Sequence, residues 1–356
     1  MNTLIRKPAR IIAVAALVLA LAFALFVYPA PLNRVQPHFG GTCRSVPLAA
    51  GVPDISVDEA RGVAYLAYLD RAPPGDRKSP RGTVMLVDLN VSEPHVRAAL
   101  LSDPADFQPV GLSLYAPAEG VRRLFVISRG AGKSPGSVEV FEQSSSGTFS
   151  LLKILSDSLL VHPTAIVAVG PEQFYVTNDP VAPRGPGRLW ALLERPSSST
   201  VLYYDGTRMS TAVTGLQMAS GLATSPDGRT VYVSELAGKR VQIFDRELNN
   251  GSLHARDIVV VDSAPTHLTS DAAGNVWIAA QPRLLAAYRN LDDATRRAPS
   301  QVLKLSPDAS GDARVSEIYL DGGEQLSAAG VAAARGKRLI VGSSADHKLL
   351  VCDTDH

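Results

Sequence analysis

Few residues in this chain stand at spacings that do chemistry. His162, His254, His267 and His347 are isolated from one another in sequence. None has the paired His or Cys spacing of a zinc or copper site. Cys43 and Cys352 are the only two cysteines, which excludes a four-cysteine metal site and a disulfide-dense mini-domain. Ser220 sits in Met218-Ala-Ser-Gly-Leu222, which is not the Gly-x-Ser-x-Gly elbow that presents a nucleophilic serine. Gly130-Ala-Gly-Lys133 lacks the spacing of a phosphate-binding loop, and Ser225-Pro-Asp-Gly228 is a turn signature. Asn90-Val-Ser92 and Asn250-Gly-Ser252 are sequons, candidate glycosylation sites in a host that glycosylates.

The elements that must carry such residues begin with a separate N-terminal piece. Residues 1–10 form a basic flank with Arg6, Lys7 and Arg10, expected in the cytosol. Residues 11–28 are an uncharged apolar run, about 27 Å long as a helix and enough to cross a bilayer core. Residues 29–40, with Pro29 and Pro31, read as a linker. The run exceeds a usual signal-peptide core and the prolines around Ala30 make a poor cleavage site. A single-pass signal anchor is therefore expected, with the rest of the chain extracytosolic (extracellular, lumenal or periplasmic), or secreted if the anchor is cleaved. The membrane is the expected partner of this helix. A net charge of +1, from 35 Lys+Arg against 34 Asp+Glu, gives no support for a nucleic-acid partner. With 46% hydrophobic and 19% charged residues, the chain has enough apolar surface to fold.

Beyond the linker the chain repeats. A Gly-, Asp- or Pro-rich turn followed by an apolar strand recurs near Val63, Leu124, Phe174, Val231, Val276 and Leu339. Each is followed by a second strand: TVMLVDL, SVEVFEQ, TVLYYDG, RVQIFDR, QVLKLSP and KLLVCDT. The period of roughly 45–63 residues points to an all-β, six-bladed β-propeller over residues 41–356 rather than a β-sandwich. The polar, Pro-rich stretch 71–80 reads as an exposed loop in the first blade. A propeller must close its ring, since an open one leaves two sheet edges. Cys43 precedes the first unit and Cys352 lies in the last strand, so a bond between them would clamp the seam.

Several segments resemble one family. Ile166-Val-Ala-Val-Gly-Pro-Glu-Gln-Phe-Tyr-Val-Thr-Asn-Asp179, Ser225-Pro-Asp-Gly-Arg-Thr-Val-Tyr-Val-Ser-Glu-Leu236, His347-Lys-Leu-Leu-Val-Cys352 and Leu32-Asn-Arg-Val-Gln-Pro37 are similar to paraoxonase/arylesterase segments and stand in the family's order. The resemblance implies a six-bladed propeller with an N-terminal hydrophobic anchor and one disulfide joining the ends. It also implies two calcium ions in a central tunnel, the catalytic one polarising the carbonyl or phosphoryl oxygen of aryl esters, lactones and some phosphotriesters for hydrolysis.

Position by position, the resemblance implies a depleted site. The family's Glu-Asp pair stands here as Pro53-Asp54, its Asn-Asp pair as Thr164-Ala165, its next asparagine as Ser220 and its Asp-Asn pair as Thr266-His267. The two histidines of its proton-transfer pair are replaced by Val110 and Arg129. Asp54 alone survives as a carboxylate, so calcium is expected to be weak or absent. Asp54, Ser220 and His267 would share one central space, with Ser220 and Thr266 as small polar fillers. Arg129 is expected to pair with Asp54 or to recognise an anion. The expected function is a membrane-anchored, non-hydrolytic binding, folding-assistance or scaffold role, toward a small ester or lactone or a partner protein. The alternative is a divergent ester or lactone hydrolase with a rebuilt site built on Ser220, His267 and Arg129.

Overall fold

A computed structural model describes residues 14, 16–20, 35–70, 81–130, 136–179, 194, 197–307 and 313–354. Of the apolar run, only Val14 and residues 16–20 fall within this set, helical and exposed. Most of the expected membrane span and all of the 71–80 loop thus lie outside the described residues. Among the described residues no helix is long and apolar enough to cross a membrane.

Residues from Pro37 onward fold as a six-bladed propeller of antiparallel sheets. The second strand of each blade forms because its apolar, β-branched and aromatic residues are covered on both faces by neighbouring blades. Phe174–Asn178, Thr230–Glu235 and Val276–Gln281 are buried along their whole length. The six repeats read from the sequence are these second strands, and the following segments are the third strands. Six apolar clusters fill the six spaces between blades. Tyr65 of the first blade, for example, meets Phe149 of the second edge-on at 5.3 Å. Each such buried side chain contributes on the order of 1.5–3 kcal/mol of transfer free energy.

The innermost strands are Ile55–Asp58, Pro109–Tyr115, Pro163–Ala168, Ala219–Thr224, Ala264–Ser270 and Ala329–Arg335. Each touches the next and the last touches the first, which encloses the central tunnel. The approach is close: a Cβ on Gly111 would lie 2.6 Å from the Thr164 carbonyl oxygen, so only glycine fits there.

The ring closes through its N-terminal strand. Gly41–Pro47 is the outer strand of the sixth blade, antiparallel to Lys348–Thr354, with Cys43 directly opposite Cys352. The two form a disulfide, as the seam argument requires. His38–Phe39 adds a fifth strand to the fifth blade, with His38 opposite Leu320.

Candidate functional site

A shared irregularity delivers the site residues. In the second to sixth blades the inner strand loses register with its neighbour at its first residues. The shifts fall between Pro109 and Gly111, Pro163 and Ile166, Ala219 and Gly221, Pro265 and Leu268, and Ala329 and Val331. A bulge inserts an unpaired residue and re-aims its side chain. Val110, Thr164, Ala165, Ser220, Thr266 and His267 all lie within these intervals. In the first blade, Pro53 and Asp54 stand just ahead of the inner strand.

These bulges open onto a cavity of about 490 Å³ at one end of the tunnel. Pro53, Val110, Arg129, Thr164, Ser220, Thr266 and His267 line it, so all but two of the residues singled out above are brought together. Ala165 instead packs in the apolar cluster between the third and fourth blades. Asp54, 4% exposed, lies against His267. The short helix Leu284–Asp292, between strands of the fifth blade, adds Leu284, Ala287, Tyr288 and Leu291 as a wall. Val110 and Val161 extend the apolar lining. Met218 and Ala328, which precede the inner strands of the fourth and sixth blades at the cavity, have φ of 56° and 52°. Left-handed backbone costs on the order of 1 kcal/mol outside glycine and concentrates at sites that need a fixed geometry.

The polar groups bond mainly to backbone amides and carbonyls. Asp54 Oδ1 accepts the Ile55 amide at 2.9 Å and lies 3.2 Å from His267 Nδ1; Oδ2 accepts the Leu112 amide at 2.8 Å. The His267 imidazole is thus the side chain set against Asp54, while the Nε–H of Arg129 donates to the Pro163 carbonyl at 3.0 Å. Thr266 Oγ1 lies 2.8 Å from the carbonyls of both Ala279 and Gly330. Thr164 Oγ1 lies 2.6 Å from Thr177 Oγ1 and 3.3 Å from the Ala219 carbonyl.

This donor set does not fit calcium. The ion takes six to eight oxygens, with carboxylates supplying the charge. Here the one surviving carboxylate is held by an imidazole and two amides, and the two threonine hydroxyls are engaged with protein oxygens. Pro53 and Ala165 offer no side-chain donor. Among the described residues no group of three or more His, Cys, Asp or Glu is placed to hold a metal.

Sequence reasoning missed other members of the site. Gln108, Asp179 and Gln281 also line the cavity, as does His162, which the sequence marked only as an isolated histidine. Gln281 donates through Nε2 to the Ala329 carbonyl. Asp179 directly follows the buried strand Phe174–Asn178, and that polar end of an apolar strand was the available signal. Glu139, on a neighbouring strand of the second blade, is 4% exposed, and burial pushes its carboxyl up to about 7 against the pull of the Ser128 hydroxyl. Of the sequons, Asn90 is exposed but held: Nδ2 donates to the Arg61 and Gly62 carbonyls, and Arg335 donates to Oδ1. Asn250 lies exposed at a turn, its Nδ2 bonded to Glu247.

A six-bladed ring with a disulfide at its seam and a bulge-lined cavity on its axis defines the class as a closed propeller with a central cavity. The Arylesterase family model matches residues 75–354, and the chain belongs to that family. It is 29% identical to serum paraoxonase/arylesterase 1 of Rattus norvegicus, over 77% of this chain and 78% of that protein. It is 26% identical to human serum paraoxonase/lactonase 3, over 90% of this chain and 91% of that protein. Among solved structures, a putative gluconolactonase superposes with a TM-score of 0.54 at 14% identity, covering 91% of this chain and 96% of that one. A regucalcin from Agrobacterium tumefaciens gives 0.51 at 13% identity, covering 89% and 95%. At such identity these two structures speak for the fold alone.

Proposed function

We propose that this chain is a ligand-binding propeller of the arylesterase family that works without the calcium chemistry. In this reading it serves a binding, folding-assistance or scaffold role on the extracytosolic side of a membrane. The observation that carries the reading is the engagement of Asp54. Its carboxylate is the only one left at the family's ligand positions, and His267, Ile55 and Leu112 occupy it. The cavity falls in the size range of small-molecule sites and mixes an apolar wall with a few polar groups. The relatives' names, arylesterase and lactonase, support a small ester or lactone as its ligand. The disulfide supports an oxidising, extracytosolic compartment.

The test is phenyl acetate and lactone hydrolysis by the purified protein in calcium and in chelator, beside calorimetry with calcium alone. The expected result is no calcium-dependent turnover and no binding isotherm. Calcium-dependent turnover overturns the reading, because a family resemblance of fold does not by itself carry the chemistry. Turnover that survives chelation returns the divergent-hydrolase alternative.

A further inference from the structure

We infer that side-chain bonds from the family's ligand positions pin the inner strands of this propeller to one another, in place of a shared ion. The inference rests on the reading that the tunnel does not use calcium.

The bonds run from blade to blade. Asp54, at the head of the first blade's inner strand, accepts the Leu112 amide of the second blade at 2.8 Å. It also reaches the fifth blade through His267 at 3.2 Å. Thr164 of the third blade reaches the Ala219 carbonyl of the fourth at 3.3 Å. Thr266 of the fifth blade reaches the Gly330 carbonyl of the sixth at 2.8 Å. Its own carbonyl accepts the Ser234 hydroxyl of the fourth blade at 2.6 Å. Four positions that the family resemblance marks for metal ligation thus each tie one blade to another.

The physical need is clear from the bulges. At the tunnel end the inner strands of the second to sixth blades leave their ladders for one or two residues, freeing backbone groups that burial would otherwise penalise. An ion would gather such oxygens around one centre. Hydroxyl donors from neighbouring blades satisfy the carbonyls of Ala219, Thr266 and Gly330 in place, and the Asp54 carboxylate takes the Leu112 amide. The Asp54–His267 pair is the only one of these bonds that crosses between non-adjacent blades. It also keeps a buried carboxylate from standing uncompensated.

The test is the melting temperature of the full chain and of His267→Ala, His267→Asn and Thr266→Val, each in millimolar calcium chloride and in excess EDTA. The wild type is expected to melt within about 1 °C in the two media, since an ion bound only by the folded state raises the melting temperature by mass action. His267→Ala is expected to fall by roughly 6–10 °C in both, the scale of a broken buried pair. His267→Asn, whose amide N–H replaces the Nδ1–H, recovers at least half of that loss. Thr266→Val keeps the shape, is expected to fall by about 2–4 °C, and carries the test by itself if His267→Ala does not fold.

A His267→Ala protein that melts within about 2 °C of wild type, or a Thr266→Val protein within about 1 °C, overturns the pin. Either result leaves the calcium-free reading standing. A wild type that loses more than about 5 °C in EDTA overturns both.

Discussion

Glu139→Gln tests whether a buried carboxyl in the second blade carries a pH-dependent cost. Glu139 sits on Ser137–Gln143, between cross-strand neighbours Val126 and Ile154, and is 4% exposed. Its Oε2 has no hydrogen-bond partner among the described residues. Burial is the largest cause of its raised pKa, from 4.5 to about 7, and the Ser128 hydroxyl only partly opposes it. The sign follows from linkage. Between pH 4.5 and about 7 the unfolded chain has released this proton while the folded chain still holds it. Stability therefore falls as pH rises through that window and levels off above it. At about 1.4 kcal/mol per unit, the group costs about 3 kcal/mol at pH 8 and almost nothing at pH 4. Glutamine has nearly the same shape and does not titrate. Urea unfolding of both proteins at pH 4 and pH 8 isolates the term, because every other group cancels in the difference. The stability of Glu139→Gln relative to wild type should rise by about 3 kcal/mol from pH 4 to pH 8. A relative stability that stays constant within about 0.5 kcal/mol refutes the argument, since it would mean that Glu139 titrates alike in both states.

Three further outcomes follow from the structure. Replacing Cys43 and Cys352 by serine opens a loop of 309 residues in sequence separation. It should lower unfolding stability by on the order of 5 kcal/mol in the chain-entropy model, an effect that a reducing agent reproduces in the wild type. Arg240→Ala leaves Glu235, whose side chain is fully buried, without the guanidinium 2.6 Å from Oε1. Denaturant titration should show a loss of about 3–5 kcal/mol, and a loss below about 1 kcal/mol would show that Gln217 and Gln242 suffice to hold that carboxylate. In a host that glycosylates, mass spectrometry should find a glycan on Asn250 and none on Asn90: both are exposed, but Asn90 Nδ2 is held by two backbone carbonyls, whereas Asn250 Nδ2 meets only the exposed Glu247 side chain.

Much of the fold was legible because the second and third strands of each blade are covered on both faces. Continuous apolar runs such as Val63–Asp70 follow from that burial. The inner strands left no such mark. Ala219–Thr224 reads ASGLAT and Ala329–Arg335 reads AGVAAAR, since strands that crowd one axis need small residues and glycine. The outer strands were hidden for the opposite reason: Leu253–Val260 has one face in water and is mostly polar or exposed. The helix Leu284–Asp292 was missed because nine residues are too short for a clear periodicity.

The same division runs through the site. From repeat pattern and residue types at matched positions alone came the ring of six blades, its cysteine clasp, the loss of carboxylates at Pro53, Ala165 and Thr266 and the loss of amide ligands at Thr164 and Ser220. Each depends on local pattern, which a linear chain carries in itself. That Asp54 meets His267 rather than standing alone, that bulges turn five inner strands toward one cavity, and that Glu139 is buried with an unanswered oxygen depend on which strands lie side by side. Asp54 and His267 belong to the first and fifth blades. Only the closing of the ring, driven by apolar burial between blades, brings their side chains within reach of each other.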